Sequence, residues 1–120
     1  MRTKEIQIGK TTYLLVMNNA VLEGMEERGI SLQDIGGEKP VSNLLSLLFL
    51  MIKGGSDYAA LTGQGEYPVI EEKALAILTG PEDYAEFLAA ITEVATGERR
   101  VDATPPKNAA AAPAGEAPAN

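Results

Sequence analysis

Gly9-Lys10-Thr11 is the first group of residues whose types and spacing could do chemistry, because it matches the end of a phosphate-binding P-loop. That motif also needs a glycine five residues before Gly9, where this chain has Lys4, and a helix after the loop. The residues after Gly9-Lys10 predict a strand instead. We therefore interpret the pair as a tight hairpin turn and predict no nucleotide site.

Three carboxylates, Glu23, Glu26 and Glu27, are close enough in sequence to gather a cation. Hard cations, however, require convergent oxygen ligands from a preformed loop. Neighbouring acids on one exposed helical face are usually solvated surface. We therefore predict no metal site.

Ser42, Ser46 and Ser56 are the candidate nucleophiles. The chain contains no histidine to activate a hydroxyl, and the spacing does not support a Ser–Lys pair. It also contains no cysteine, which excludes thiol catalysis and thiolate metal sites. We expect a protein that is not an enzyme, with no catalytic residues and no cofactor.

The charge of the chain narrows the classes of partner. Its 120 residues carry a formal net charge of -7, whereas binding to nucleic acid or to an anionic membrane requires a basic patch.

The longest apolar stretch, Leu44 to Ile52, is shorter than the roughly 20 residues of a membrane-spanning helix. The N-terminal residues lack the apolar run of a signal peptide. We expect a soluble intracellular protein that binds neither nucleic acid nor membrane.

The elements that position these residues begin with a β-hairpin over residues 3–17. Ile6 and Ile8 alternate with polar residues, as in a half-buried strand. The return strand from Thr11 to Met17 is apolar on both faces near its end, so we expect helices or another chain to cover it.

Helical patterns follow the hairpin, and together they predict an α+β fold with the hairpin packed on about four helices. The first helix is capped by Asn18 or Asn19 and ends at Arg28, before a left-handed Gly29. The remaining segments run from Pro40 or Ser42 to Lys53 with Gly54-Gly55 as the stop, from Ser56 to Leu61, from Ile70 to Leu78 (burying Ile70, Ala74, Leu75 and Ile77 or Leu78), and from Pro81 to Gly97.

Residues 41–52, VSNLLSLLFLMI, are the most informative segment because nine of the twelve are apolar. A surface helix carries an apolar stripe, whereas this helix is apolar nearly all round. It is either a core helix enclosed by the other elements, or a helix with one face left for a partner or a second copy. Both interpretations stay open at this point.

The composition changes at about residue 98. Twelve of residues 101–120 are alanine or proline, and Val101 is the one large apolar side chain among them. Such a segment cannot bury enough apolar surface to offset its ordering entropy. We predict one folded body over 1–97 and a disordered tail over 98–120.

The order and character of these elements resemble the tail assembly chaperone family of long-tailed phages and prophages. The resemblance covers roughly residues 3–97 and is strongest from Leu22 to Ile35. It rests on the hairpin KEIQIGKTTYLLVM, the helix NNAVLEGMEERGISLQDI, the apolar helix SNLLSLLFLMIKGG and the acidic pair IEEKALAIL and PEDYAEFLAAITEVATG.

The resemblance implies a chaperone in the host cytoplasm that binds the apolar tape measure protein and keeps it soluble until the tail tube assembles. The tail tube protein is a second candidate partner, and self-association stays open. The alternative is a structural tail or head–tail component that remains in the particle. From the apolar pattern, we expect partner contacts from Leu44, Leu45, Leu48, Met51, Tyr84 and Phe87.

Removing residues 98–120 is expected to leave the melting temperature unchanged, because this segment offers almost no apolar surface for docking. Thermal unfolding of the shortened and full-length chains, followed by circular dichroism, measures the difference. A clear drop in the melting temperature of the shortened chain would show that the tail packs on the body.

Overall fold

The computed structural model describes residues 1–32 and 40–97, and it has the predicted α+β fold. The elements in chain order are β1 (Thr3–Ile8), β2 (Thr11–Val16), α1 (Asn19–Arg28), α2 (Pro40–Thr62), α3 (Glu72–Leu78), a 3-10 turn (Pro81–Asp83) and α4 (Tyr84–Thr96). The predicted tail at 98–120 lies outside the described residues.

β1 and β2 form an antiparallel hairpin around a two-residue turn, as predicted. Ile8 pairs with Thr11, and Gly9 in the turn has a φ of +65°, which glycine adopts without strain. β1 alternates exposed and buried residues, whereas β2 buries every residue from Tyr13 to Val16. The return strand is therefore covered on both faces within one protomer.

Local capping signals fix both ends of α1. The side chain of Asn18 accepts a hydrogen bond from the backbone N–H of Val21 at 3.0 Å, so Asn18 is the N-cap. Gly29 has a φ of +68° and ends the helix in the left-handed conformation. Both features agree with the prediction.

The predicted end of the second helix at Gly54-Gly55 is wrong, because α2 continues through both glycines to Thr62. Both glycines are buried where α2 crosses β2. A Cβ on Gly55 would overlap the carbonyl oxygen of Leu14, and a Cβ on Gly54 would lie 2.6 Å from Cγ2 of Val21. These positions require glycine because of close packing on the hairpin and α1, and not because the helix ends.

The full length of α2 helps to explain why this helix is apolar nearly all round. The segment from Ser56 to Leu61, predicted as a separate helix, is its last part. With 23 residues and a mean hydropathy of 1.4 over 18 of them, α2 is long and apolar enough to cross a membrane by length and composition alone. Eight of its residues are buried inside the body, however. Core packing accounts for an apolar helix of this kind.

α3 and α4 each pack one side against the core. Ile70 and Leu75 are buried as predicted, but Ile77 and Leu78 are 72% and 62% exposed, so the predicted burial of one of them is wrong. Successive helical residues are rotated by about 100°, which turns Ile77 away from the side of Leu75. In α4 the buried residues are Phe87, Ala90, Ile91 and Val94.

Replacing Gly55 with alanine is expected to lower the free energy of unfolding by about 3 kcal/mol, because the new methyl overlaps backbone that cannot move aside. Urea unfolding followed by circular dichroism measures this loss.

Gly24→Ala is the matched control for that measurement. A Cβ there would lie 2.8 Å from Cδ2 of Leu50, the movable end of a side chain. Alanine also favours helix over glycine by about 1 kcal/mol, so we expect a smaller net change. Equal stability of Gly55→Ala and the parent chain would contradict the close packing of α2 on β2.

Candidate functional site

The six residues predicted to contact a partner do not form an open surface. Leu44, Leu48, Met51 and Phe87 are at most 3% exposed and belong to the core. Leu45 and Tyr84 are half-buried and pack against that core. The expectation that these side chains present a ready-made contact face is therefore not met in this closed body.

The enclosure of α2 has an identifiable cause in the packing of its neighbours. β2 covers it at Gly54-Gly55, and α1 approaches it at Gly24, where Leu50 fills the space that a side chain would take. α3 lies along its N-terminal half, where Ser46 contacts Glu72. Small residues at two of these three contacts let a short chain surround a helix that is apolar nearly all round.

Apolar side chains remain exposed elsewhere in the described ranges, on the outside of the shorter helices and near the ends of α2. A groove between Leu32, four residues beyond the end of α1, and the outer side of α4 is lined largely by carbon. We call it the Leu88 groove. Its lining residues are Leu32, Leu88, Ile91, Thr92, Ala95 and Thr96. The other exposed apolar residues are Met1, Leu22, Val41, Leu61, Val69, Ile77 and Leu78.

Sequence reasoning missed the Leu88 groove. Leu88 fits the same helical spacing as the buried residues Phe87 and Ile91, yet it is 40% exposed. Leu32, at 43% exposed, gave no periodic signal of its own. The sequence signal that could have identified this groove is the helical spacing of Leu88, Ile91 and Ala95, which places the three residues in one stripe along α4.

The polar residues singled out in the sequence have structural roles or lie in solvent. Ser46 donates a hydrogen bond to Glu72 at 3.0 Å, and Ser56 donates one to the carbonyl oxygen of Tyr67 at 2.7 Å. Glu23 and Glu27 line a cleft between α1 and α2 together with Lys53 and Asp57. Across residues 1–32 and 40–97, no group of three or more potential ligand side chains is placed to hold a metal ion.

One polar cluster joins the first three helices. Arg28, at the end of α1, donates to both carboxylate oxygens of Glu72 at 2.8 and 2.9 Å, and its guanidinium lies 5.3 Å from the centre of the Phe49 ring. The side chains of Arg28 and Glu72 are 35% and 40% exposed. Water therefore weakens the ion pair, which contributes at most about 1 kcal/mol.

α4 is held differently, by contacts to its C-terminal carbonyl groups. The guanidinium of Arg2 donates to the backbone oxygens of Val94 and Ala95 at 3.1 and 3.0 Å. Lys4 forms an ion pair with Glu93 at 3.4 Å. These cations complement the negative end of the helix dipole and fix one wall of the Leu88 groove.

The loop between α2 and α3 is attached to β1. The Tyr67 hydroxyl donates a hydrogen bond to the carboxylate of Glu5 at 2.5 Å. This hydrogen bond stabilises the protonated phenol and raises the pKa of Tyr67 above its usual value of 10.0. The contact places the loop against the outside of the hairpin.

Comparison of the chain with family models, with curated proteins and with solved structures found no match in any of the three. The described residues leave apolar side chains exposed at the Leu88 groove and at several other places on an acidic body.

Replacing Leu48 with alanine is expected to lower the free energy of unfolding by about 2–5 kcal/mol, because the side chain is fully buried and its removal leaves a cavity. Ile77→Ala is the control, since Ile77 is exposed and should change stability by no more than about 0.5 kcal/mol. Urea unfolding of both variants separates core from surface. Equal losses would show that Leu48 is not enclosed as described.

Proposed function

We propose that this chain is a tail assembly chaperone that binds the apolar tape measure protein and keeps it soluble until the tail tube assembles. The resemblance of residues 3–97 to that family motivates the proposal. The observation that supports it in the folded body is the Leu88 groove, an apolar surface that the described residues leave open.

The physical task of such a chaperone is to cover apolar side chains that would otherwise aggregate. Each Å² of apolar surface removed from water contributes about 25 cal/mol. The chaperone leaves when another partner covers the same surface more favourably. Binding at a shallow groove suits this reversible role.

The groove is suited to one side of an amphipathic helix. Leu88, Ile91 and Ala95 form an apolar stripe along α4, and Leu32 forms the opposite wall. Apolar residues of a partner helix at helical spacing would lie along this stripe. The contact surface proposed here therefore differs from the six residues expected from the sequence, most of which are in the core.

The acidic charge of the chain supports the solubilising part of the proposal. With a net charge of -7, complexes of this protein with an apolar partner would repel one another. Salt screens such repulsion with a length of about 10 Å at 0.1 M. The proposed partner contact itself is apolar and does not depend on that charge.

Replacing Leu88 with glutamine is expected to reduce the soluble fraction of a co-expressed tape measure protein by about threefold or more, because a polar group would interrupt the apolar stripe. Leu61→Gln is the matched control. Leu61 is more exposed, at 88%, but lines a different depression beside Asn18 and Tyr58. Circular dichroism must show both variants folded. Full solubilisation by Leu88→Gln would contradict the proposed surface.

Mass spectrometry of purified phage particles tests the assembly role separately. A chaperone should be present during assembly and absent from mature particles, because the tail tube replaces it on the tape measure protein. Stoichiometric retention in mature particles would contradict the proposal and favour a structural tail or head–tail component.

A further inference from the structure

The first strand has an edge that no other strand pairs. Within residues 1–32 and 40–97, β1 and β2 are the only strands, and they pair with each other. Beside a two-residue hairpin turn the flanking residues, here Ile8 and Thr11, exchange both backbone hydrogen bonds, and bonded pairs alternate from there. The backbone N–H and C=O groups of Thr3, Glu5 and Gln7 therefore point away from β2. We call this row of groups the β1 edge.

The corresponding edge of β2 is closed by α2. The same alternation directs the backbone groups of Leu14 away from β1, and Gly55 packs directly against the Leu14 carbonyl oxygen. This contact agrees with the assignment of outward-facing groups in the hairpin. A further strand cannot pair with β2 here, because the helix occupies that position. The β1 edge is therefore the side of the hairpin at which pairing can continue.

The elements packed against β1 lie on its two faces. Lys4 forms its ion pair with Glu93, which places α4 on the face that is directed to the core. On the other face the Tyr67 hydroxyl binds the Glu5 carboxylate, while the Tyr67 carbonyl oxygen accepts a hydrogen bond from Ser56 of α2. Because α2 lies beside β2, Tyr67 reaches Glu5 from the side of β2 and does not cross the β1 edge.

The β1 edge itself is accessible. Thr3, Glu5 and Gln7 are exposed, and no described residue outside the hairpin forms a hydrogen bond with their backbone groups. A row of unpaired strand N–H and C=O groups is a template for another strand. β1 contains no proline, glycine or bulge that would interrupt pairing, and the charge of Lys4 is already balanced by Glu93.

We propose that the β1 edge pairs with the same edge of a second copy of this chain, antiparallel and around a two-fold axis, so that two hairpins form a four-stranded sheet. Charge selects the register. Pairing centred on Glu5 or on Lys4 would place like charges directly opposite each other, which is destabilising. Pairing centred on Ile6 places Glu5 opposite Gln7 of the second copy and brings no like charges together within β1.

This register provides polar partners for the groups that it brings together. Glu5 and Gln7 of one copy exchange backbone hydrogen bonds with Gln7 and Glu5 of the other, which gives four bonds in all. Tyr67 donates to Oε2 of Glu5, so Oε1 is placed to accept the side-chain amide of Gln7 from the second copy. A contact of this size belongs to the weak, transient class of interfaces. It involves no residue of the Leu88 groove and does not depend on the proposed function.

Sedimentation equilibrium of the full-length chain measures this self-association directly. We expect the apparent mass to rise from that of one chain toward that of two as the protein concentration increases to about 1 mM, where a weak interface is populated. The mass of one chain at every concentration would overturn the proposal.

Gln7→Pro tests the backbone pairing. It removes an N–H that the hairpin does not use, and proline is tolerated on an edge strand whose N–H faces solvent. Two of the four interchain hydrogen bonds are lost, so we expect the dissociation constant of the dimer to rise at least about tenfold. Gln7→Ala is the matched control, which retains the N–H and should change that constant by less than about threefold. With both variants folded by circular dichroism, equal dissociation constants would overturn the proposal.

Gln7→Lys and Gln7→Glu test the register and keep the proposal falsifiable if Gln7→Pro does not fold. Glu5 of the second copy then faces an opposite or a like charge, so we expect the dissociation constant to fall or rise by about threefold, respectively. Ala85→Lys and Ala85→Glu, at an exposed position of α4, change the net charge equally and are the controls. Equal effects at positions 7 and 85 would show that Glu5 and Gln7 do not meet, and would overturn the proposed pairing.

Discussion

The close contact of α2 with β2 is the constraint on which the rest of this structure depends. Gly55 lies against the Leu14 backbone and Gly54 against Val21, so the helix approaches the strand more closely than any side chain would allow. This approach leaves β2 covered on both faces and lets α1 reach Gly54 from the side. A two-stranded hairpin is at best marginally stable alone, and α2 supplies the apolar surface that it lacks.

The same contact determines which surfaces are available to other molecules. Because α2 is enclosed by the hairpin, α1 and α3, the eight buried residues of this helix stabilise the body and are not available to a partner. Exposed carbon surface is displaced outward to the Leu88 groove and to Ile77 and Leu78 on α3. α2 therefore supports the fold and does not offer a binding face. The shorter helices packed around it carry the candidate contact residues.

Local signals in the sequence predicted most of the fold and little of the site. Asn18 and Gly29 act within their own turns, so the bounds of α1 could be read directly. The role of Gly54-Gly55 could not be read in this way, because such a pair fits either a helix end or a close helix–strand contact. Contact with Leu14, which is distant in sequence, decides between the two. The exposure of Leu88 could not be predicted for a related reason, since periodicity defines an apolar stripe without showing how much of it the neighbouring elements cover.

The central claim is that an apolar protein contacts the Leu88 groove while the hairpin and α2 stay folded. Hydrogen exchange of the complex with the tape measure protein, compared with the free chain, tests this claim most directly. The account predicts slower exchange from Leu88 to Thr96 and unchanged exchange in β2. Slower exchange confined to β1 and α1, with α4 unaffected, would contradict it.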